Sequence, residues 1–308
     1  MCLNFMDIFT QVAILFIIIL VGYFVRRFNM LDDESTSKLS SLVMNIFLPA
    51  MIITAMQIDF EAELIPKMLS LFVVSMVMFA VSIIISFIMK LFVKSESELG
   101  IYQYALVFSN SGFMGYPVVE AVLGSGGIFY AAIFNLPFNF ICFTLGVYFL
   151  SKGRPGKKFS LKSMVNSSII AVVIGLILFF TKTKLPVFIN EPLVLLGNVT
   201  TPLSMLVIGS MLAGSSATEC FKMPKMYILT FLRLIVIPVA VFIVLKPFNF
   251  DSLVMAIPVV IGAMPSAANT AIMANEYGAD VSLASQAVFF TTLFSVVSIP
   301  LISVLLLS

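Results

Sequence analysis

The sequence predicts an all-α integral membrane protein: ten transmembrane helices arranged as two inverted five-helix repeats, with helices 4 and 9 broken where they cross. Three observations predict it. The 308 residues are 61% hydrophobic and only 10% charged, with mean hydropathy +1.14, whereas soluble domains carry about 25% charged residues. Apolar stretches of about 20 residues, the length that spans a bilayer, recur along the whole chain. The two halves also echo each other at a constant shift of 153 residues. Sparse charge and abundant aromatics exclude disorder as well as a water-soluble fold.

Ten stretches qualify as spans: 7–28, 37–57, 66–92, 100–123, 127–151, 163–181, 191–214, 224–245, 252–274 and 281–307. The first lacks a basic leader and is followed by Arg26 and Arg27. That order reads as an uncleaved anchor with its N-terminus outside, not as a signal peptide. Cytoplasmic loops carry the excess of Lys and Arg. With the N-terminus outside, the inside loops hold 12 of the 17 basic residues and the outside loops 4, Arg233 being intramembrane. Both termini are therefore expected outside a cytoplasmic membrane. The basic loop 152–162 reads as a linker between one repeat over 1–151 and a second over 163–308.

The repeat rests on two matches in one register. Asn45-Ile-Phe-Leu-Pro49 and Asn198-Val-Thr-Thr-Pro202 are both N-x-x-x-P, and the same shift carries Asn110–Pro117 onto Ala263–Thr270. Five spans per half is odd, so the second half lies upside down relative to the first. Inverted repeats with broken helices in equivalent places point to a secondary transporter, its site at the breaks.

The breaks themselves are Ser109-Asn110-Ser111-Gly112-Phe113-Met114-Gly115-Tyr116-Pro117 and Gly262-Ala263-Met264-Pro265-Ser266-Ala267-Ala268-Asn269-Thr270. Non-helical backbone at membrane depth persists only where it is buried in protein or lines a wet cavity. Crossing breaks bring freed amides and carbonyls together with the Asn110, Ser111, Ser266, Asn269 and Thr270 side chains. Pro117 and Pro265 are expected to start half-helices, whose N-terminal ends suit a carboxylate. The alternative is that each proline simply kinks its helix.

At these residues the chain resembles the auxin efflux carrier superfamily, the bacterial relatives of the plant PIN carriers. Asn110-x-x-x-x-Gly115-x-Pro117 is similar to the family's segment 4 crossover, and Pro265 through Asn269 to Ala274-Asn275-Glu276-Tyr277 to its segment 9. The central loop is short compared with many plant members. The resemblance implies a scaffold of helices 1, 2, 6 and 7, a mobile core of helices 3–5 and 8–10, and elevator-like movement. It also implies organic-anion substrates, mono- or dicarboxylates such as malate or malonate, and a homodimer through the scaffold.

Charges inside spans are expensive, which makes Glu120 and Arg233 candidate site residues. Glu120 either faces the cavity and carries a coupled proton or sits solvated near the outer interface. Arg233 lies roughly 14 Å along its helix from Pro224. It either draws in an anion or pairs with Glu120 or with backbone carbonyls. Asn135 and Asn139, four apart on one helix face, line the cavity or serve as interhelical hydrogen-bond partners. Asn45 and Asn198 flank the cavity from the scaffold side or satisfy carbonyls freed by their prolines.

No cofactor is expected. Proton coupling through Glu120, sodium coupling through carbonyls near the crossover, and uncoupled facilitation all stay open; the chain lacks a nucleotide-binding loop. With no histidine, no G-x-S-x-G elbow and carboxylates mostly in loops, an enzyme is not expected. Cys2, Cys142 and Cys220 form neither a disulfide framework nor a metal-ligand spacing. Lipids are the expected surroundings and nucleic acid is not an expected partner. A membrane anion sensor that binds without transport is the competing reading.

Overall fold

The computed structural model describes residues 5–152, 166–214 and 220–307, without the side chains of 5–8 and 307. Nearly all of the expected linker, including Arg154, Lys157, Lys158 and Lys162, lies outside the described residues, as does Cys2. Among the described residues the elements are helical: α1 (Phe5–Arg27), α2 (Asp33–Ala55), α3 (Leu64–Leu91), α4 (Glu96–Val107), α5 (Tyr116–Leu123), α6 (Gly126–Leu150), α7 (Ser167–Phe180), α8 (Val187–Gly214), α9 (Pro224–Phe248), α10 (Ser252–Gly262), α11 (Thr270–Glu276) and α12 (Val281–Leu307).

Seven of these, α1, α2, α3, α6, α8, α9 and α12, are long and apolar enough to cross a membrane, and α7 and α10 are shorter apolar helices. The expected span at 100–123 is divided between α4 and α5, and that at 252–274 between α10 and α11. Large apolar side chains point outward along the bundle: Leu69, Ile84, Leu195 and Val297 are 65–71% exposed. A water-soluble surface would not carry them so densely; this is a multi-pass membrane protein.

Several spans bend at prolines in one repeated way. Wide, π-type turns cover Val43–Phe47, Ser111–Gly115 and Leu232–Val236, and a proline follows each at the second position beyond: Pro49, Pro117 and Pro238. A proline has no N–H and its ring collides with the carbonyl four residues back; opening the turn before it relieves both. The second N-x-x-x-P motif behaves differently, because Pro202 lies inside the continuous helix α8.

Helices α1, α2, α7 and α8 pack on one another, while α3 packs against α4, α6, α9 and α10, and α12 against α4, α9, α10 and α11. The α1–α8 contact is backbone to backbone. A Cβ on Gly209 would collide with the Ile19 carbonyl of α1, and one on Gly22 with the Leu206 carbonyl of α8. Loop charges tie the ends: Arg26 pairs with Asp33 at 2.6 Å and Lys225 with Glu98 at 3.0 Å. Asp251 caps α10 by accepting from Leu253 N–H at 3.0 Å and pairs with Lys67 at 3.3 Å. That N–H, helped by Lys67, holds the Asp251 carboxyl below its ordinary range. The capped form is therefore stabilised at neutral pH and loses this contribution as the carboxylate protonates in acid.

Gly209→Val should destabilise the protein by at least about 1–3 kcal/mol, the usual cost of overpacking. Gly126→Ala, where a Cβ meets nothing within 4 Å, is the control. Thermal unfolding in detergent reads both; equal midpoints would contradict the close α1–α8 contact.

Candidate functional site

The two interruptions meet. α4 ends at Val107, and Phe108 turns the chain extended with φ −98° and ψ 111°. Ser109 then pairs with Ser266 in an isolated antiparallel bridge. Asn110 N–H donates to Pro265 O at 2.8 Å and Ala267 N–H to Phe108 O at 2.9 Å. Pro265 enforces the extended path on its side, since it cannot donate and disfavours a helical Met264. Ser109, Asn110 and Ser111 favour local, non-helical hydrogen bonding on the other.

The Ser266 side chain and side chains from two helices fasten this crossing. The Ser266 hydroxyl donates to Ala105 O at 2.9 Å, and Ser266 N–H donates to Thr291 Oγ1 of α12 at 3.2 Å. Arg233 is completely buried. Its Nε donates to Met264 O and its Nη1 to Leu106 O, both at 3.0 Å. Ala105 and Leu106 belong to the last turn of α4, whose carbonyls have no helical partners. A guanidinium there also faces the negative dipole ends of α4 and α10 together. Arg233 Nη2 is buried without a partner.

The expected pairing of Arg233 with Glu120 is not formed; of the two partners considered, Arg233 takes the carbonyls. Glu120 is half-buried on α5 and its Oε2 accepts from Thr201 Oγ1 of α8 at 2.8 Å. It does not line the cavity described next. Pro117 is the second residue of α5, as expected, although a wide turn precedes it, whereas Pro265 starts no half-helix. The second half of span 4 begins with the wide turn at Ser111, six residues before Pro117. Pro265 lies in the extended crossing, and α11 begins at Thr270. Because an N–H is absent at Pro117, the wide turn can be inserted there at little cost.

Beside the crossing is a cavity of about 140 Å³ between the two breaks, α2, α6 and α7. Asn110, Ser111, Gly112, Asn139 and Asn269 line it, as expected from sequence, together with Asn135. Gly115, Pro117, Pro265, Ser266 and Thr270 do not; they build its frame. Thr270 Oγ1 donates to Ala267 O at 2.6 Å. Asn45 and Asn198 are exposed and outside the lining. Asn45 donates to Ser41 O at 2.9 Å and accepts from Ser167 Oγ at 2.7 Å. The α2 positions that reach the cavity are its neighbours Met44 and Leu48.

Asn166 is the lining residue that sequence reasoning missed. Its Oδ1 caps α7 by accepting from Ile169 N–H at 3.0 Å, and its Nδ2 donates to Asn139 Oδ1 at 2.7 Å. An Asn just before an apolar run was the available signal. Among the described residues, no Lys, Arg, Asp or Glu lines the cavity. The polar wall is amide and hydroxyl, and two helical N-termini, at Ser111 and at Asn166–Ser167, open beside it. The side chain of Asn110 is 97% buried by residue area (3% exposed).

Asn110 and Ala268 also line a second cavity of about 220 Å³, on the side of α8 and α12. Its α12 wall is Ser285, Val288, Phe289 and Thr292. Each lies 153 residues beyond an α6 residue of the first cavity: Ala132, Asn135, Leu136 and Asn139.

Long apolar helices packed around two helix breaks that meet, with a cavity beside them, define a multi-pass membrane protein. The family model described as Membrane transport protein matches residues 7–160 and 154–303. The chain belongs to this family, the auxin efflux carrier family. An uncharacterized transporter of Methanocaldococcus jannaschii is 29% identical over 297 residues, covering 94% of this chain and 96% of the relative. One of Methanothermobacter thermautotrophicus is 27% identical over 308 residues, covering 98% and 99%. The uncharacterized transporter YfdV of Escherichia coli is 25% identical over 301 residues, covering 92% and 93%.

Replacing Arg233 with Met should cost about 3 kcal/mol or more, since two charged hydrogen bonds of about 1.5–3 kcal/mol each are lost and two buried carbonyls are left bare. Arg233→Lys should recover part of it. Unfolding midpoints in detergent are the readout; a Met variant as stable as wild type would contradict the clasp.

Proposed function

We propose that the chain is a secondary or facilitative carrier of small organic anions, mono- or dicarboxylates such as malate or malonate. The anion binds in the cavity beside the crossover of spans 4 and 9. One observation carries this reading: a cavity that, among the described residues, no charged side chain lines, with five asparagines in its wall and two helical N-termini beside it. Each N-terminus carries about half a positive charge, so the pair favours a carboxylate with no lysine or arginine needed.

In this reading the chain has ten spans in two inverted repeats, 1–151 and 163–308, joined by the linker at 152–162. The register between the two cavities supports it, because four wall positions repeat at the shift that relates the broken helices. Helices α1, α2, α7 and α8 form the scaffold and the remainder moves as an elevator core. The Glu120–Thr201 hydrogen bond then joins core to scaffold and breaks in each cycle. Coupling to H+ or Na+, or to neither, is compatible with this arrangement. The carrier sits in the cytoplasmic membrane with both termini outside and assembles as a homodimer through its scaffold.

The test is a carboxylate panel (malate, malonate, lactate, succinate, indole-acetate) screened by thermal shift at pH 5.5 and 7.5, then uptake of labelled hits into proteoliposomes. At 100 times its dissociation constant a ligand adds about 2.7 kcal/mol of stability, which is readily seen. Asn110→Ala and Pro265→Ala should each abolish uptake while leaving folded protein in the membrane. No carboxylate taken up above protein-free liposomes, or wild-type uptake by both variants, would refute the proposal. Binding without uptake would favour the sensor.

A further inference from the structure

A third pocket, of about 210 Å³, lies at the end of the bundle where α2 passes to α3 and α7 to α8. It shares no residue with the cavity at the crossover. Its two walls are the turn around Gln57–Phe60 and the turn at Lys182–Lys184. Lys184 ties them together: its ammonium donates to Gln57 O at 2.6 Å and pairs with Asp59 at 2.9 Å. That pairing neutralises the carboxylate lining the pocket.

Two donors are left over. Among the described residues the Lys182 ammonium has no carboxylate partner, and it stands over the Phe60 ring at 4.9 Å. Gln57 is held by its Oε1, which accepts from Leu185 N–H at 2.9 Å, so the amide is oriented and cannot be turned round. Gln57 Nε2 is thereby aimed inward, buried and without a partner, a state that native structures seldom tolerate. The Thr181 hydroxyl gives its one proton to Ile177 O at 2.7 Å, so its 3.0 Å contact with the Thr183 hydroxyl takes the Thr183 proton. Lys182 takes its left-handed φ of 56° where α7 ends, in a turn closed by Thr183 N–H donating to Leu178 O at 2.9 Å.

We propose that this pocket is a peripheral oxyanion site, separate from the crossover, for the carboxylate or phosphate of a small solute or for the phosphate of an anionic lipid headgroup. An oxyanion seated between Lys182 Nζ and Gln57 Nε2 would satisfy both donors, the ammonium through a charge-assisted bond. The Phe60, Phe179 and Phe180 rings, with centroids 5.3–6.2 Å apart, flank it as an interfacial aromatic cluster does. A headgroup and a dissolved anion can therefore both reach it.

Calorimetric titration of the purified full-length protein with sodium phosphate, in zwitterionic detergent at constant ionic strength, tests the dissolved source. Native mass spectrometry from phosphatidylglycerol and phosphatidylcholine nanodiscs tests the lipid source. Lys182→Gln removes the cation, and Gln57→Glu keeps the acceptor for Leu185 N–H but turns the free donor into a negative charge. A dissolved anion gives saturable phosphate binding that each variant weakens about tenfold or more, equivalent to about 1.4 kcal/mol, and that persists in Asn110→Ala. A lipid source gives no phosphate binding but retained phosphatidylglycerol, lost in both variants. Unchanged unfolding midpoints establish that the variants are folded, and if one fails to fold the other carries the test. Wild type and variants alike in both arms, or phosphate binding lost in Asn110→Ala, would overturn the site.

Discussion

The structure depends on one constraint: a membrane supplies no water for backbone groups released when a helix breaks. Two breaks in isolation would leave the last carbonyls of α4 and α10 and the first N–H groups of the following halves unpaired at membrane depth. Here each break supplies partners for the other. Asn110 N–H goes to Pro265 O and Ala267 N–H to Phe108 O, while Ser266 and Arg233 take carbonyls of Ala105, Leu106 and Met264. Neither interruption is tolerable without the other, so α4–α5 and α10–α11 are coupled as one structural unit.

The same arrangement sorts charge. Carbonyl ends gather on one side, where the buried guanidinium answers them. The N-terminal ends at Ser111 and Asn166–Ser167 open on the cavity, where no side chain among the described residues carries charge. A site formed by oriented dipoles and amides attracts an anion without holding it as a salt bridge would, and a carrier must release what it binds. Arg233, committed to two carbonyls, contributes to this site by fixing its frame.

Much of this was legible in the sequence, and the limits have physical reasons. Gly, Pro, Asn and Ser clustered inside apolar stretches mark where helices cannot continue, which located both breaks and five lining residues. Facing is harder to read. Asn45 and Asn198 attract attention by their prolines, yet the helical turn of about 100° per residue gives the cavity to Met44 and Leu48 and leaves both asparagines exposed. Both prolines read as helix starts because proline favours that position; Pro117 is the second residue of α5, just after a wide turn, but Pro265 lies in the extended crossing. Arg233 finds partners 31 and 127 residues away, a pairing that no local pattern encodes. Four wall positions of the two cavities also stand 153 residues apart, which sequence alone gave no reason to align.

The central claim is that oriented amides and helical N-termini beside the crossover, and not Arg233, hold the anion. A structure determined by cryo-electron microscopy in nanodiscs, with a carboxylate that binds, tests it most directly. The account expects the carboxylate within hydrogen-bond distance of the Asn110 side chain and the N–H groups following Ser111, with Arg233 still on Leu106 and Met264. A carboxylate seated elsewhere, or Arg233 swung off its carbonyls onto the anion, would contradict it.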